Sequence, residues 1–546
     1  MHCLAYLFEM DKKMNHPEIR NWSLAFLLTS PMLIFFGGYL FNHSGDLIPT
    51  GFIQYDNVSY IAYAKQYLDS NVFHWQYSNP FNAQTLMPIY FQPQTLFFAL
   101  LLKLGVPASW ILITFTVICS VICFRLVIAI FDHLLERNRY RIFSIWLFAW
   151  GGGLLALAGI ILHFLLNNGK SLVEDLFILD PGYGWWGLNL GRSLFFSCEA
   201  YYHVLFLGCV YCLLKRKWIG GSVLMLVLLL SHPFSGLELI GIVCFWIFIE
   251  LLIDRTTLPR GFVLAVIFCL ALYIYYYFFY LNQFADHRSV ADQYSLKWRL
   301  GLYRALPAYG LVGLLAVIAI RRENFRRFFQ TSSRRLFLCW FIIAFLLANH
   351  DLFMKGRQPI HFTRGYIWTS LFLLGLPTLQ RLNISMKTRF HRLGLIFIAL
   401  IFFVDNLTWI SLNVASRAAH PDSRYINSEQ EQVFTLLNNE CTERTLLISN
   451  DGTISYLSTV YTKAYPWLSH PFTTPFVADK KISYRAFIER GQVDSLWLGR
   501  QVIFVLKRDK ELEHILPVLN KMDIVMEKET TNYFIFKSDS LFLKRQ

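Results

Sequence analysis

Asp56 is the first residue in this sequence whose type and setting could do chemistry. It lies near the middle of 42–94, a polar and aromatic stretch with no apolar run long enough to cross a membrane. A carboxylate placed there can serve as a general base toward a hydroxyl, or as a metal ligand, at a lipid surface. Asp is also a good N-cap, and Asn57 opens a segment of helical spacing with Val58, Ile61 and Ala62 on one face. The loop 166–194 contributes Glu174, Asp175, Asp180 and Arg192, together with an aromatic–glycine run at 181–187 that includes Trp185. Aromatic faces among glycines suit a sugar ring or a membrane interface, and Asp180, Pro181 and Gly182 are also a plain turn signal.

Glu199 and His203 follow at i, i+4 inside an apolar run, where they could pair as carboxylate and imidazole. Ionisable groups within a span face an interior or a cavity, either as a site or as a packed pair. His232 and Pro233 interrupt another apolar run, marking a turn that leaves a histidine for a site. The connection 350–364 carries His350, Asp351, Lys355, Arg357, His361 and Arg364. A basic cluster on the outer side of a membrane runs against the usual charge bias, and a lipid phosphate is its natural partner.

The elements that must position these residues are membrane spans. The 546 residues are 55% hydrophobic and only 16% charged, below the quarter typical of soluble domains. Apolar length predicts eleven spans near 22–41, 107–131, 142–165, 195–214, 218–231, 236–253, 261–281, 302–320, 336–349, 365–380 and 393–411. The first is too long for a signal-peptide core and reads as a signal anchor. The piece 95–104 is too short to span and reads as interfacial or re-entrant.

Basic clusters fall on alternate connections, such as Lys215 to Lys217 and the arginines at 321–335. That pattern puts the N-terminus in the cytoplasm of a bacterial inner or plasma membrane. The loops 42–94, 166–194, 282–301 and 350–364 then face outside, as does the C-terminal segment. The excess of basic residues, a net charge of +14, is explained by topology, so nucleic acid is not an expected partner. Most of the ten cysteines lie in apolar runs, and no paired CxxC motif exists, which excludes a zinc-finger site or a disulfide framework. From about residue 412 strand-like runs at 445–449, 501–506 and 532–536 alternate with helical stretches, predicting an extracytoplasmic α/β domain over 412–546 after a membrane domain over 1–411.

A long first outer loop with an acid before an amphipathic helix, many spans and an outward C-terminal domain resemble the GT-C superfamily of polytopic glycosyltransferases. The motif-level likeness rests on Tyr55, Asp56 and Asn57, with looser similarity at 199–203 and 231–236. Family members often pair acids in the first loop; here Asp46 and Asp69 are distant from Asp56. The resemblance implies an inverting transferase that takes a sugar from a polyprenyl-phosphate donor to a lipid, glycan or protein acceptor. Asp56 would be the base, with Asp180 or Glu199 as a second acid and a divalent cation, Mg or Mn, as a possible cofactor at Asp56. Arg192, His361 and Arg364 would hold the lipid phosphate, and Tyr55 and Trp185 would bracket the sugar, near His203 and His232. Two other readings fit a polytopic chain: a transporter or flippase for a lipid-linked or anionic substrate, and a non-catalytic scaffold. A transporter should show inverted repeats and helices broken at mid-membrane.

Overall fold

The computed structural model describes residues 17–43, 45–68, 74–82, 87–135, 140–166, 169, 171–253, 258–385, 389–415, 422–442, 445–522 and 524–538. The chain divides into two compact units. The first comprises Met1–His43, Ile113–Tyr275 and Ser295–Ala419; the second comprises Ser44–Leu112, Tyr276–Tyr294 and His420–Gln546. The sequence reading instead drew a single boundary at 411/412, whereas the first loop clusters with the C-terminal part.

Apolar helices make an integral membrane protein. Among the described residues five helices are long and apolar enough to cross a bilayer: Ala108–Leu134, Pro233–Ile253, Arg260–Gln283, Leu302–Glu323 and Ile396–Val414. Counting each bent helix pair as one span gives up to seven, short of the eleven expected. Two of the expected spans are not continuous. Pro17–Leu28 and Ser30–Phe41 meet at 41°, where Pro31 cannot donate to the helix ladder, and Arg141–Trp150 and Leu155–Leu166 meet at 54° across three glycines.

The second break is held by side chains from the last span. A backbone opened at membrane depth needs partners from the protein, because lipid supplies none. Asp405 accepts the backbone N–H groups of Leu155 (3.0 Å) and Ala156 (2.8 Å), the opening turn of the second half-helix. Asn406 Nδ2 donates to Trp150 O (2.7 Å), closing the first half.

In the second unit β1 (Leu47–Pro49) pairs antiparallel with β2 (Tyr425–Asn427), joining the first loop to the C-terminal part. Thr50 Oγ1 extends that joint by donating to the Ser423 carbonyl (2.6 Å). The remaining strands are β3 (Leu446–Ser449), β4 (Tyr465–Pro466), β5 (Val502–Lys507), β6 (Val525–Glu529) and β7 (Tyr533–Ser538). They form one mixed sheet in the order β4-β3-β5-β7-β6, parallel from β4 to β5 and antiparallel beyond. Three of these strands fall where period and composition predict them. Helices Ser428–Glu440, Gly452–Tyr461, Val477–Arg490 and Lys510–Lys521 accompany the sheet. Its core includes Trp467, Phe487, Trp497, Phe504 and Leu519.

One buried cation sits at the edge of that core. Lys480 is 2% exposed, its Nζ lies 5.2 Å from the Trp467 ring, and no hydrogen bond reaches it. Burial pushes its pKa from 10.5 down to about 8, against the pull of Asp286 and Asp494. Between about pH 8 and 10.5 the unfolded chain therefore binds more protons than the folded one, and stability rises with pH across that window. Lys480→Met should stabilise the protein at pH 7 by about 2–3 kcal/mol and flatten the rise, as read by thermal unfolding over pH 7–10. Asp405→Ala should cost on the order of 2–3 kcal/mol in denaturant unfolding, because it leaves two buried N–H groups without their charged acceptor. An unchanged midpoint would remove Asp405 as the support of the broken helix.

Candidate functional site

Asp56 occupies the N-cap position of helix Asn57–Gln66, yet its side chain makes no capping hydrogen bond. Its carboxylate is 48% exposed and turns instead to His470, with Oδ1 at 3.2 Å from Nε2. The ring's other nitrogen settles the direction of that bond. His470 Nδ1 accepts the backbone N–H groups of Phe472 (3.1 Å) and Thr473 (3.2 Å), so the ring proton is on Nε2 and is donated to Asp56. The imidazole is 2% exposed and boxed by aromatic rings: Tyr55 at 5.1 Å, Tyr456 at 5.4 Å and Phe81 at 6.1 Å.

The neighbours of this pair hold its backbone. Tyr456 OH donates to the Tyr55 carbonyl (2.7 Å) and bonds Ser59 Oγ (2.9 Å), while Lys65 Nζ caps the helix Gly452–Tyr461 through Val460 O and Thr462 O. Tyr55 stacks on Tyr456 at 4.6 Å, so much of its face is already occupied. The Tyr63 phenol is pushed up by burial and then by the Asp56 charge, keeping it neutral.

The remaining candidate residues belong to the first unit, and there each acid meets an arginine. Glu199 Oε1 accepts from Arg364 Nη1, and Asp180 Oδ2 accepts from Arg192 Nη1. Both candidate acids are thus bonded to residues expected to hold a phosphate. Glu199 and His203 approach only to 4.0 Å between carboxylate oxygen and ring nitrogen, and His203 Nδ1 donates instead to the Glu199 backbone carbonyl (2.8 Å). The His203 ring lies flat on Tyr366, 4.7 Å away.

Gly365, at φ 76°, permits this close approach, since a Cβ there would meet Ser193 Oγ at 3.0 Å and His203 Nε2 at 3.2 Å. Arg364 also lies over the Trp186 ring at 5.2 Å. His361 stacks on Phe234 at 4.5 Å, and burial pushes its imidazole well below its usual pKa, with Arg364 and His232 adding to the effect. It is therefore neutral at pH 7 and a poor cation for a phosphate. His232 accepts the Ser235 N–H through Nδ1 (3.1 Å) and stacks on Tyr202 at 4.4 Å, which makes it the turn's cap.

Trp185 packs inward against Trp409 (5.0 Å) and Phe196 (6.1 Å). Its neighbour Trp186, with Tyr183, lines a cavity of about 450 Å³ that also touches Asp180, Trp298, Arg299 and Arg304. Tyr183 lies in the left-handed region at φ 54°, which costs a non-glycine residue on the order of 1–2 kcal/mol. Gly184, at φ 88°, leaves no room for a Cβ beside Trp409 and Arg192.

The sequence reading missed three of these groups. His470 lies in Ser469 to Phe472, which repeats the tetrapeptide at 231–234, and in both copies Nδ1 accepts a backbone N–H close after it. That repeat was the available signal. Asp405 and Glu238 are acids within expected spans; Glu238 is fully buried with no hydrogen bond to either carboxyl oxygen. Among the described residues no group of three or more His, Cys, Asp or Glu side chains is arranged to hold a metal ion. At Asp56 the histidine offers a proton rather than a lone pair, so this donor set does not fit a divalent cation.

The fold is similar to that of the arabinofuranosyltransferase AftD from Mycobacteria, seen by cryo-EM, at a TM-score of 0.51 and 13% sequence identity. The match covers 95% of this chain but only 40% of that one, and at such identity it is a likeness of fold. Sequence comparison matches no protein family and no curated protein.

A side chain that does not cap its helix can be changed without loss of the fold. Asp56→Asn should shift unfolding by no more than about 0.5 kcal/mol. His470→Ala, which strips two backbone N–H groups of their acceptor and empties an aromatic box, should cost about 3 kcal/mol. Equal destabilisation by the two, in denaturant unfolding of the detergent-solubilised protein, would make Asp56 a structural residue.

Proposed function

We propose that this chain is an inverting membrane glycosyltransferase that moves a sugar from a polyprenyl-phosphate donor to an acceptor hydroxyl. The carrying observation is the Asp56 carboxylate: half exposed, unused as a cap, and oriented by the His470 N–H. The fold's likeness to a glycosyltransferase supports the class.

In the reaction the acceptor oxygen attacks the anomeric carbon from the face opposite the phosphate. Its proton passes to Asp56, the new C–O bond forms, and the bond to the phosphate oxygen breaks with its electron pair leaving on the polyprenyl phosphate. Attack opposite the leaving group inverts the anomeric centre. The leaving group is already a stable anion, so positioning and a base are what the protein must supply. The His470 N–H holds Asp56 in one rotamer and offsets its charge without protonating it.

Glu199 and Asp180 are paired with Arg364 and Arg192, which supports Asp56 as the base. The basic clusters on alternate connections support an N-in topology with the Asp56 loop on the outer face, where a lipid, glycan or protein would be the acceptor.

One observation favours a second reading. The helix broken at 151–153, with its end held by Asp405, is the kind of feature a transporter uses at its binding site. A single reconstitution separates the two. The neighbour's name makes a polyprenyl-phosphate arabinofuranose the first donor to supply, in proteoliposomes with an oligosaccharide acceptor. Wild-type protein should form an inverted glycoside, and Asp56→Asn should lose ~10²–10⁴-fold in turnover while remaining folded. Near-normal turnover in that variant would remove Asp56 from the mechanism. Movement of intact donor across the bilayer without a glycoside product would favour the transporter.

A further inference from the structure

The cavity of the first unit has the build of a ligand site. Its volume, about 450 Å³, lies within the range of small-molecule pockets. Four aromatic residues, Phe177, Tyr183, Trp186 and Trp298, line it together with Glu174, Asp175, Asp180, Arg299 and Arg304. Asp180 is 5% exposed, and while Oδ2 takes Arg192, Oδ1 has no hydrogen-bond partner. A buried carboxylate oxygen left in this way calls for a donor from whatever enters.

The strained turn provides an independent second observation. Gly182, Tyr183 and Gly184 stand at φ 57°, 54° and 88°, and Tyr183 is 57% exposed. Trp409 Nε1 donates to the Tyr183 carbonyl (3.2 Å), pinning the turn from below. The backbone is thus held in a costly shape that lifts an aromatic ring out of the fold at the cavity's edge. Strain of this kind persists where the surroundings enforce it, and it collects at ligand sites.

Aromatic faces beside carboxylates match a polyol ring, with its C–H face on a side chain and its hydroxyls on the acids. The charge balance selects further. Asp180 is already paired with Arg192, Asp175 with His163 (2.8 Å) and Arg299 with Asp351 (3.5 Å), so the wall's ionised groups are largely spent on one another and a neutral ring suits it better than a phosphate.

We infer that this cavity binds one ring of a neutral saccharide, and that the saccharide is the acceptor glycan rather than the sugar-phosphate donor. The word acceptor rests on the glycosyltransferase reading; saccharide binding by itself does not.

The test is binding by the full-length protein in detergent, read by saturation-transfer NMR. The probes are linear tetrasaccharides of pentofuranose, hexopyranose and N-acetylhexosamine, and a polyprenyl-phosphate sugar. At least one soluble tetrasaccharide should bind wild-type protein. Tyr183→Gly should weaken it about tenfold. Because that substitution relieves a left-handed residue, its unfolding midpoint should hold or rise, so lost binding cannot come from lost fold. Trp298→Ala, at a ring that is half exposed, should weaken binding similarly. Asp56→Asn should bind as wild type does, so a failed base assignment leaves this result standing. Three results would overturn the inference: no soluble saccharide binds, binding ignores Tyr183→Gly, or only the lipid-linked sugar binds and depends on Tyr183.

Discussion

Backbone groups at membrane depth must find partners within the protein, and much of the first unit is arranged around meeting that demand at one place. The glycines at 151–153 open a helix, and Asp405 and Asn406 receive its two ends. The same Asn406 donates to Asn189 Oδ1 (3.0 Å), and that oxygen also caps the Arg192 turn. Arg192 then fixes Asp180. A defect in one span is thereby connected, by hydrogen bonds alone, to a carboxylate on the cavity wall. No step in that chain involves an apolar contact, which ties the cavity's shape to the geometry of the break.

The second unit solves a different problem. Its Asp56 carboxylate is half exposed and yet held in a fixed direction. Exposure would let an aspartate sample rotamers freely; the buried His470 N–H removes that freedom while leaving one face of Asp56 to solvent. Histidine suits this role because its two nitrogens have separate tasks. Two backbone N–H groups on Nδ1 fix the tautomer, and the aromatic box fixes the ring plane. The direction of the bond to Asp56 follows from hydrogen-bond supply.

Much of this was legible in the sequence. Apolar length gave the membrane character, and period and composition gave β3, β5 and β7 and the helices beside them. Asp56 stood out because an acid in a long polar loop between spans is unusual. What escaped were the features set by distant partners. The three glycines at 151–153 read as part of a continuous span, because the side chains that hold them open lie some 250 residues away. Trp185 and Trp186 are adjacent and chemically alike, and only packing decides that Trp185 turns to the aromatic core while Trp186 meets the cavity. Arg192 and Arg364 read as anion ligands because each acid that holds them is, in sequence, merely another candidate. The joining of 44–112 to the C-terminal part left almost no trace, since β1 and β2 are three residues each.

The separation between Asp56 and His470 has a consequence for how the protein is made. The two are 414 positions apart. At ordinary rates of translation that distance corresponds to about 20–80 s between the emergence of one and the other. Until His470 arrives, the loop bearing Asp56 lacks its strand partner β2 as well as the histidine that aims the carboxylate. A nascent or truncated chain therefore carries Asp56 without the histidine that orients it until the last quarter of the chain has folded.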